Sequence, residues 1–116
     1  MSLLTELQDF EVDIQDGLKR FANNTALFEK MLKKFPPAAE DLPVAIYFES
    51  GDLETAVANA HTLKGITGNL SLTPLYKAYT DIVALLRESK PDEAKEILLG
   101  IIPVQEKITA CIKKYM

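Results

Sequence analysis

Apolar residues in this 116-residue chain recur at alternating steps of three and four along most of its length. That spacing constrains the fold more than any other feature, because a helix of 3.6 residues per turn lays such positions along one face. Leu53, Ala56, Ala60, Leu63, Thr67 and Leu70 form one such stripe. No stretch alternates apolar and polar residues as a half-buried strand would. With 47% hydrophobic and 26% charged residues, the chain has the apolar content that a packed core needs and that disordered segments lack. The pattern predicts an all-α fold in a single domain spanning residues 1–116, without internal repeats or linkers.

The stripes divide the chain. From Phe28 through Met31, Phe35, Ala38 and Leu42 to Ala45 or Ile46 the spacing predicts one long core helix, kinked near Phe35 by Pro36 and Pro37, with Pro43 further along. A second helix runs from Leu53 to Leu70, opened by Asp52 as its cap. A third is expected from Thr73-Pro74, with threonine as cap, burying Leu75, Tyr79, Ile82, Leu85 and Leu86. Ser89 and Asp92 have capping-box spacing around Pro91. The fourth stripe follows as Ile97, Ile101, Val104, Ile108, Cys111 and Tyr115, bent but not ended by Gly100 and Pro103. Leu3 to Phe10 and Asp16 to Phe21 read as short N-terminal helices. Four amphipathic helices on short links predict an up-down four-helix bundle with those short helices laid over one end.

Composition removes several functions. A formal net charge of −4 lacks the basic excess of a general nucleic-acid binder. No apolar run approaches the roughly 18–20 residues that span a bilayer, and no basic segment with an apolar core opens the chain, so a cytoplasmic location is expected. One cysteine and one histidine cannot make a disulfide or a zinc cluster, and Cys111 falls in register with core positions. No metal is expected.

The single histidine lies in Ala60-His61-Thr62-Leu63-Lys64-Gly65, followed by Gly68-Asn69-Leu70. At about 100° per residue, His61 points roughly 130° away from the centre of its helix's apolar stripe, toward solvent. Val57, Lys64, Gly65 and Gly68 fall within roughly 60° of it, and Ala58 lies beside them. An imidazole is near neutral around pH 7 and nucleophilic, Lys64 brings an ammonium to within a turn, and the glycines cost helix stability while leaving backbone bare. A phosphoryl group is the anionic cargo this combination suits. Taken alone, each residue has a plainer reading: His61 and Lys64 as solvated surface groups, the glycines as sites of close helix packing.

Together these residues resemble the A-H-x-L-K-G signature and trailing G-N-L of bacterial histidine phosphotransfer domains. Asp16-Gly17-Leu18-Lys19-Arg20-Phe21 and Leu27 to Phe35 extend the likeness upstream. The chain departs from the family pattern at Ser71-Leu72-Thr73, where a glycine is common, and at Val83, where a glutamate is. The resemblance implies that His61 accepts a phosphoryl group from a receiver-domain phosphoaspartate and passes it to another receiver, with Lys64 stabilising the phosphoryl charge and Val57, Ala58, Gly65 and Gly68 meeting the partner. It further implies that the receivers supply Mg²⁺ and that the chain has no cofactor of its own. Because the outward face of the motif helix bears small and polar residues rather than a broad apolar patch, a monomer that pairs transiently with receivers is expected. No glycine-rich phosphate loop is present, so direct use of ATP is not expected. Two other readings stay open: a helical interaction module without chemistry, and the phosphotransfer domain of a chemotaxis-type kinase charged by an ATP-bound catalytic domain.

Overall fold

Three prolines decide how the first half of the chain is cut. The computed structural model describes residues 2–116, and among them eight helical segments and no strand occur: α1 (Leu3–Gln8), α2 (Ile14–Arg20), α3 (Thr25–Leu32), α4 (Phe35–Asp41), α5 (Ala45–Ser50), α6 (Leu53–Asn69), α7 (Thr73–Arg87) and α8 (Pro91–Lys113). The expected long helix over Phe28 to Ile46 is therefore three pieces, α3 to α5. Pro36 and Pro37 cannot donate hydrogen bonds and are accommodated at the first positions of α4. Lys33 and Lys34 keep right-handed backbone angles between α3 and α4. The second interruption is sharper. Leu42, forced out of helical space by the following Pro43, takes φ −125° and ψ 58°.

The apolar register survives both breaks. Phe28 and Phe35 are buried, Met31, Ala38, Leu42 and Ala45 half-buried, and the stripe runs out only at Ile46, which is 58% exposed. Two bonds then fix the approach to α6. Gly51 closes α5 with φ +79°, and Asn59 Nδ2 of α6 donates to the carbonyl of Pro43 at 2.7 Å. Asp52 caps α6 as expected, accepting from the Thr55 amide at 3.1 Å and the Thr55 hydroxyl at 2.7 Å.

The helices α6, α7 and α8 pack in succession, with α5 against α6 and α8, and α4 against α8. Ala56, Ala60, Leu63, Thr67 and Leu70 face inward, so the stripe read from the sequence is the buried face of α6. Thr67 is satisfied there by its hydroxyl, which donates to the Leu63 carbonyl at 2.8 Å. In α7, Leu75, Tyr79 and Ile82 are buried as expected, whereas Leu85 and Leu86 are half-buried and Ala78 and Val83 take core positions. In α8 the buried face is centred on Ala94, Leu98, Ile108, Cys111 and Ile112, with Ile97, Ile101, Val104 and Tyr115 on its flank. The helix continues through Gly100 and Pro103.

Two capping expectations fail at the helix starts. Leu72, not Thr73, is the cap of α7, and Thr73 donates instead to the Ser71 carbonyl at 3.2 Å. Lys90 caps α8 without a side-chain bond, because Ser89 is occupied in closing α7 with φ +61°. Of the short N-terminal helices, α1 ends earlier than expected, at Gln8, whereas α2 begins earlier than expected, at Ile14, and ends at Arg20. Buried Leu3 and Leu7 hold α1 against α8, and Glu6 takes an ion pair from Lys114 at 2.6 Å and a hydrogen bond from the Tyr115 hydroxyl. Among the described residues, no helix is long and apolar enough to cross a membrane.

Candidate functional site

His61 occupies the middle of α6, the helix whose opposite face is the best-buried stripe of the sequence. Because Ala56, Ala60, Leu63 and Thr67 are locked inward, the outward direction of His61 follows, and its side chain is exposed. Among the described residues no hydrogen bond or ion pair engages the imidazole or the Lys64 ammonium. Both remain available to a ligand.

A shallow groove of about 490 Å³ runs beside the imidazole. Four of the residues singled out from the sequence meet there: His61, Lys64, Gly65 and Gly68. Val57 and Ala58 lie a turn or less toward the start of α6 and do not line it. The two glycines differ in their surroundings. A Cβ on Gly65 would have nothing within 4 Å, so its backbone is bare to solvent. A Cβ on Gly68 would come within 2.9 Å of the Tyr76 ring of α7, so the space above Gly68 is filled by an aromatic side chain rather than left open.

The rest of the groove comes from elements that periodicity in α6 does not reveal. Asp16 and Arg20 of α2, Asp13 at its cap, Ser71 in the turn after α6, and Thr73 and Tyr76 of α7 line the far side. Arg20 Nε donates to Asp16 Oδ2 at 2.8 Å, and the Ser71 hydroxyl donates to the same oxygen at 2.6 Å. Arg20 first, then Ser71, hold the Asp16 carboxyl below its usual range, and Asp16 raises the Arg20 guanidinium in return. The signal available for this pair was its i, i+4 spacing, but spacing alone does not bring α2 to α6.

Two local features bring it there. Gly17 on α2 is buried against Phe28, whose ring occupies the space a side chain would take, and Phe21 stacks on Phe28 with centroids 5.4 Å apart. At the other end, Ser71 closes α6 in left-handed space at φ +55°, donating its amide to the Gly68 carbonyl at 3.2 Å while Leu72 donates to Thr67 at 2.9 Å. Its own carbonyl accepts from the Asp13 amide at 3.3 Å. Ser71 therefore sits at a backbone position that favours glycine, and its hydroxyl engages the groove's carboxylate.

Chemically, the groove offers an unengaged nucleophile, two cations on different helices and bare backbone. Among the described residues no group of three or more histidine, cysteine, aspartate or glutamate side chains is placed to hold a metal ion. Compared with protein-family models, curated proteins and solved structures, the chain matches none.

Proposed function

We propose that this chain is a phosphorelay carrier of the histidine phosphotransfer kind, with His61 as the phospho-acceptor. The observation that carries the reading is the pairing of exposed His61 and half-buried Lys64, neither with a partner among the described residues, with Gly65, a helix-interior glycine that no packing contact requires. Such a glycine costs about 0.5–1 kcal/mol relative to alanine. Close approach of a partner to the ring gives that cost a purpose.

In the proposed step the unprotonated imidazole nitrogen attacks the phosphorus of a receiver's phosphoaspartate. The bond between phosphorus and the aspartyl oxygen breaks, the aspartate leaves as carboxylate, and the imidazolium proton passes to water. Transfer onward reverses these changes on a second receiver. Lys64 offsets phosphoryl charge, Gly65 and Gly68 with neighbouring Val57 and Ala58 form the docking face, and the receiver supplies Mg²⁺. The domain is then a carrier rather than an enzyme, a monomer meeting its partners transiently in the cytoplasm. The corresponding architecture is an up-down four-helix bundle in which α3 to α5 together make the first member. Support for it comes from the successive packing of α6, α7 and α8 and from the contacts of α4 and α5 that close the ring.

Incubation with receivers charged by acetyl phosphate and Mg²⁺ tests the reading. Label should move to His61 as an acid-labile, base-stable adduct. His61→Gln should abolish it while changing stability by less than about 0.5 kcal/mol. Lys64→Ala should slow transfer, since it deletes one charge-assisted contact, without removing the acceptor. A purely docking module takes no label, and labelling that persists in His61→Gln overturns the assignment.

A further inference from the structure

Arg20 and Lys64 are the cations of the groove beside His61, and they arrive from different helices. The other charged or titratable groups facing it are Asp13 and Asp16 from the α2 side and Tyr76 from α7. A guanidinium on the exposed side of a seven-residue helix would ordinarily sample many rotamers. This one is tied. Its Nε is bonded to Asp16, and Asp16 is bonded to Ser71, so its orientation is set from the turn that ends the helix carrying His61. The two side chains of the pair are 49% and 48% exposed, a setting in which an ion pair contributes little to stability. Only the Nε edge is engaged. The terminal Nη groups have no partner among the described residues, and they retain the planar fork of donors that matches phosphoryl oxygens.

We propose that Arg20 is a second phosphoryl-binding group of this site: when His61 carries a phosphoryl group, the Nη donors of Arg20 bond its oxygens from the α2 side while Lys64 does so from α6. Asp16 and Ser71 are positioning residues that present Arg20 to the groove. The inference rests on the phosphotransfer reading and adds a residue to it. A cation held at those oxygens favours the dianionic phosphoryl form over the monoanionic one.

Phosphoramidate provides the test, because it needs no receiver. The His61 nitrogen attacks its phosphorus, the phosphorus–nitrogen bond to the amine breaks, and ammonia leaves; with one histidine in the chain, a single phosphohistidine forms. Its ³¹P resonance, followed against pH, reports the second ionisation of the phosphoryl group. Arg20→Ala should raise that midpoint by about 0.2–0.7 pH units, the range a solvent-screened ion pair supports. Arg20→Lys should recover part of the shift. Ser71→Ala, which leaves every charge in place, should move the midpoint less and in the same direction. Arg87→Ala, an equal charge loss at the exposed end of α7, should leave it unmoved. Should Arg20→Ala fail to fold by circular dichroism, Arg20→Gln replaces it. An unchanged midpoint on removing Arg20, or an equal shift in Arg87→Ala, overturns the inference. Chemical loading is independent of receivers, so that outcome leaves the phosphotransfer reading standing, and failure of receiver labelling leaves this measurement readable.

Discussion

At residue scale, Gly17, Gly65 and Gly68 show how one residue type answers to three neighbourhoods. Gly17 gives way to the buried Phe28 ring, Gly68 to the Tyr76 ring, and Gly65 to nothing in this chain. The consequences differ in sign. Gly17→Ala forces Phe28 out of a filled core and is expected to destabilise the fold by about 1–3 kcal/mol in denaturant melts. Gly65→Ala adds a methyl to open space in a helix interior and should stabilise by about 0.5–1 kcal/mol. If the bare backbone serves docking, the same Gly65→Ala variant should slow phosphoryl transfer while melting later. A variant that melts later and transfers at the wild-type rate would remove Gly65 from the docking face.

At element scale, chain direction is controlled by prolines and by left-handed closures. Helices α6 and α7 both end with a serine in left-handed space, Ser71 at φ +55° and Ser89 at φ +61°. In α7 the Ser89 amide donates to the Leu86 carbonyl at 3.2 Å and the Lys90 amide to Leu85 at 2.8 Å, the same closure as in α6. A non-glycine residue in this conformation costs about 1–2 kcal/mol. Ser89→Gly should therefore raise stability by about 1 kcal/mol. Ser71→Gly relieves the same strain but gives up the 2.6 Å bond to Asp16, so its gain should be smaller. Paired thermal melts of the two variants compare them directly, and equal gains would mean the Asp16 contact contributes nothing to folding.

At the scale of the whole molecule, stability should fall at both ends of the pH range. On the acid side, Asp16 is held low by Arg20 and Ser71, Glu6 by Lys114 and Tyr115, and Asp52 by Thr55. A carboxylate lowered in the fold contributes stability that is present above its unfolded value and lost as pH falls through the folded one. On the alkaline side, burial pushes Tyr79 up to about 12, against the opposing bond from its hydroxyl to Gln105. Its contribution is complete below the usual phenol value near 10 and lost as pH rises toward 12. Melting temperature against pH should show both limbs, and Tyr79→Phe should flatten the alkaline one. Ile46 and Leu99, 58% and 57% exposed, are the most exposed large hydrophobic side chains apart from Met116. Sedimentation should give a monomer, and a tight dimer that buries His61 would contradict the carrier reading.

Periodicity alone determined the helical class, the buried face of α6 and hence the outward His61 with Lys64 and Gly65, because a helix fixes the direction of every side chain once one face is committed to the core. Tertiary structure decided the rest. That Tyr76 covers Gly68 follows from the packing of α7 on α6, and that Arg20 and Asp16 stand beside His61 follows from Gly17 against Phe28 and Ser71 against Asp16, residues 55 positions apart in the last case. The division of the expected long helix into α3, α4 and α5 lay between the two. Its prolines were visible, but they act through φ and a missing donor, so they mark where a helix is weakened. Whether it then bends or stops depends on which partner the freed carbonyl finds, as the Ala39 carbonyl, which a residue 43 amide would otherwise reach, accepts from the Leu42 amide at 3.3 Å.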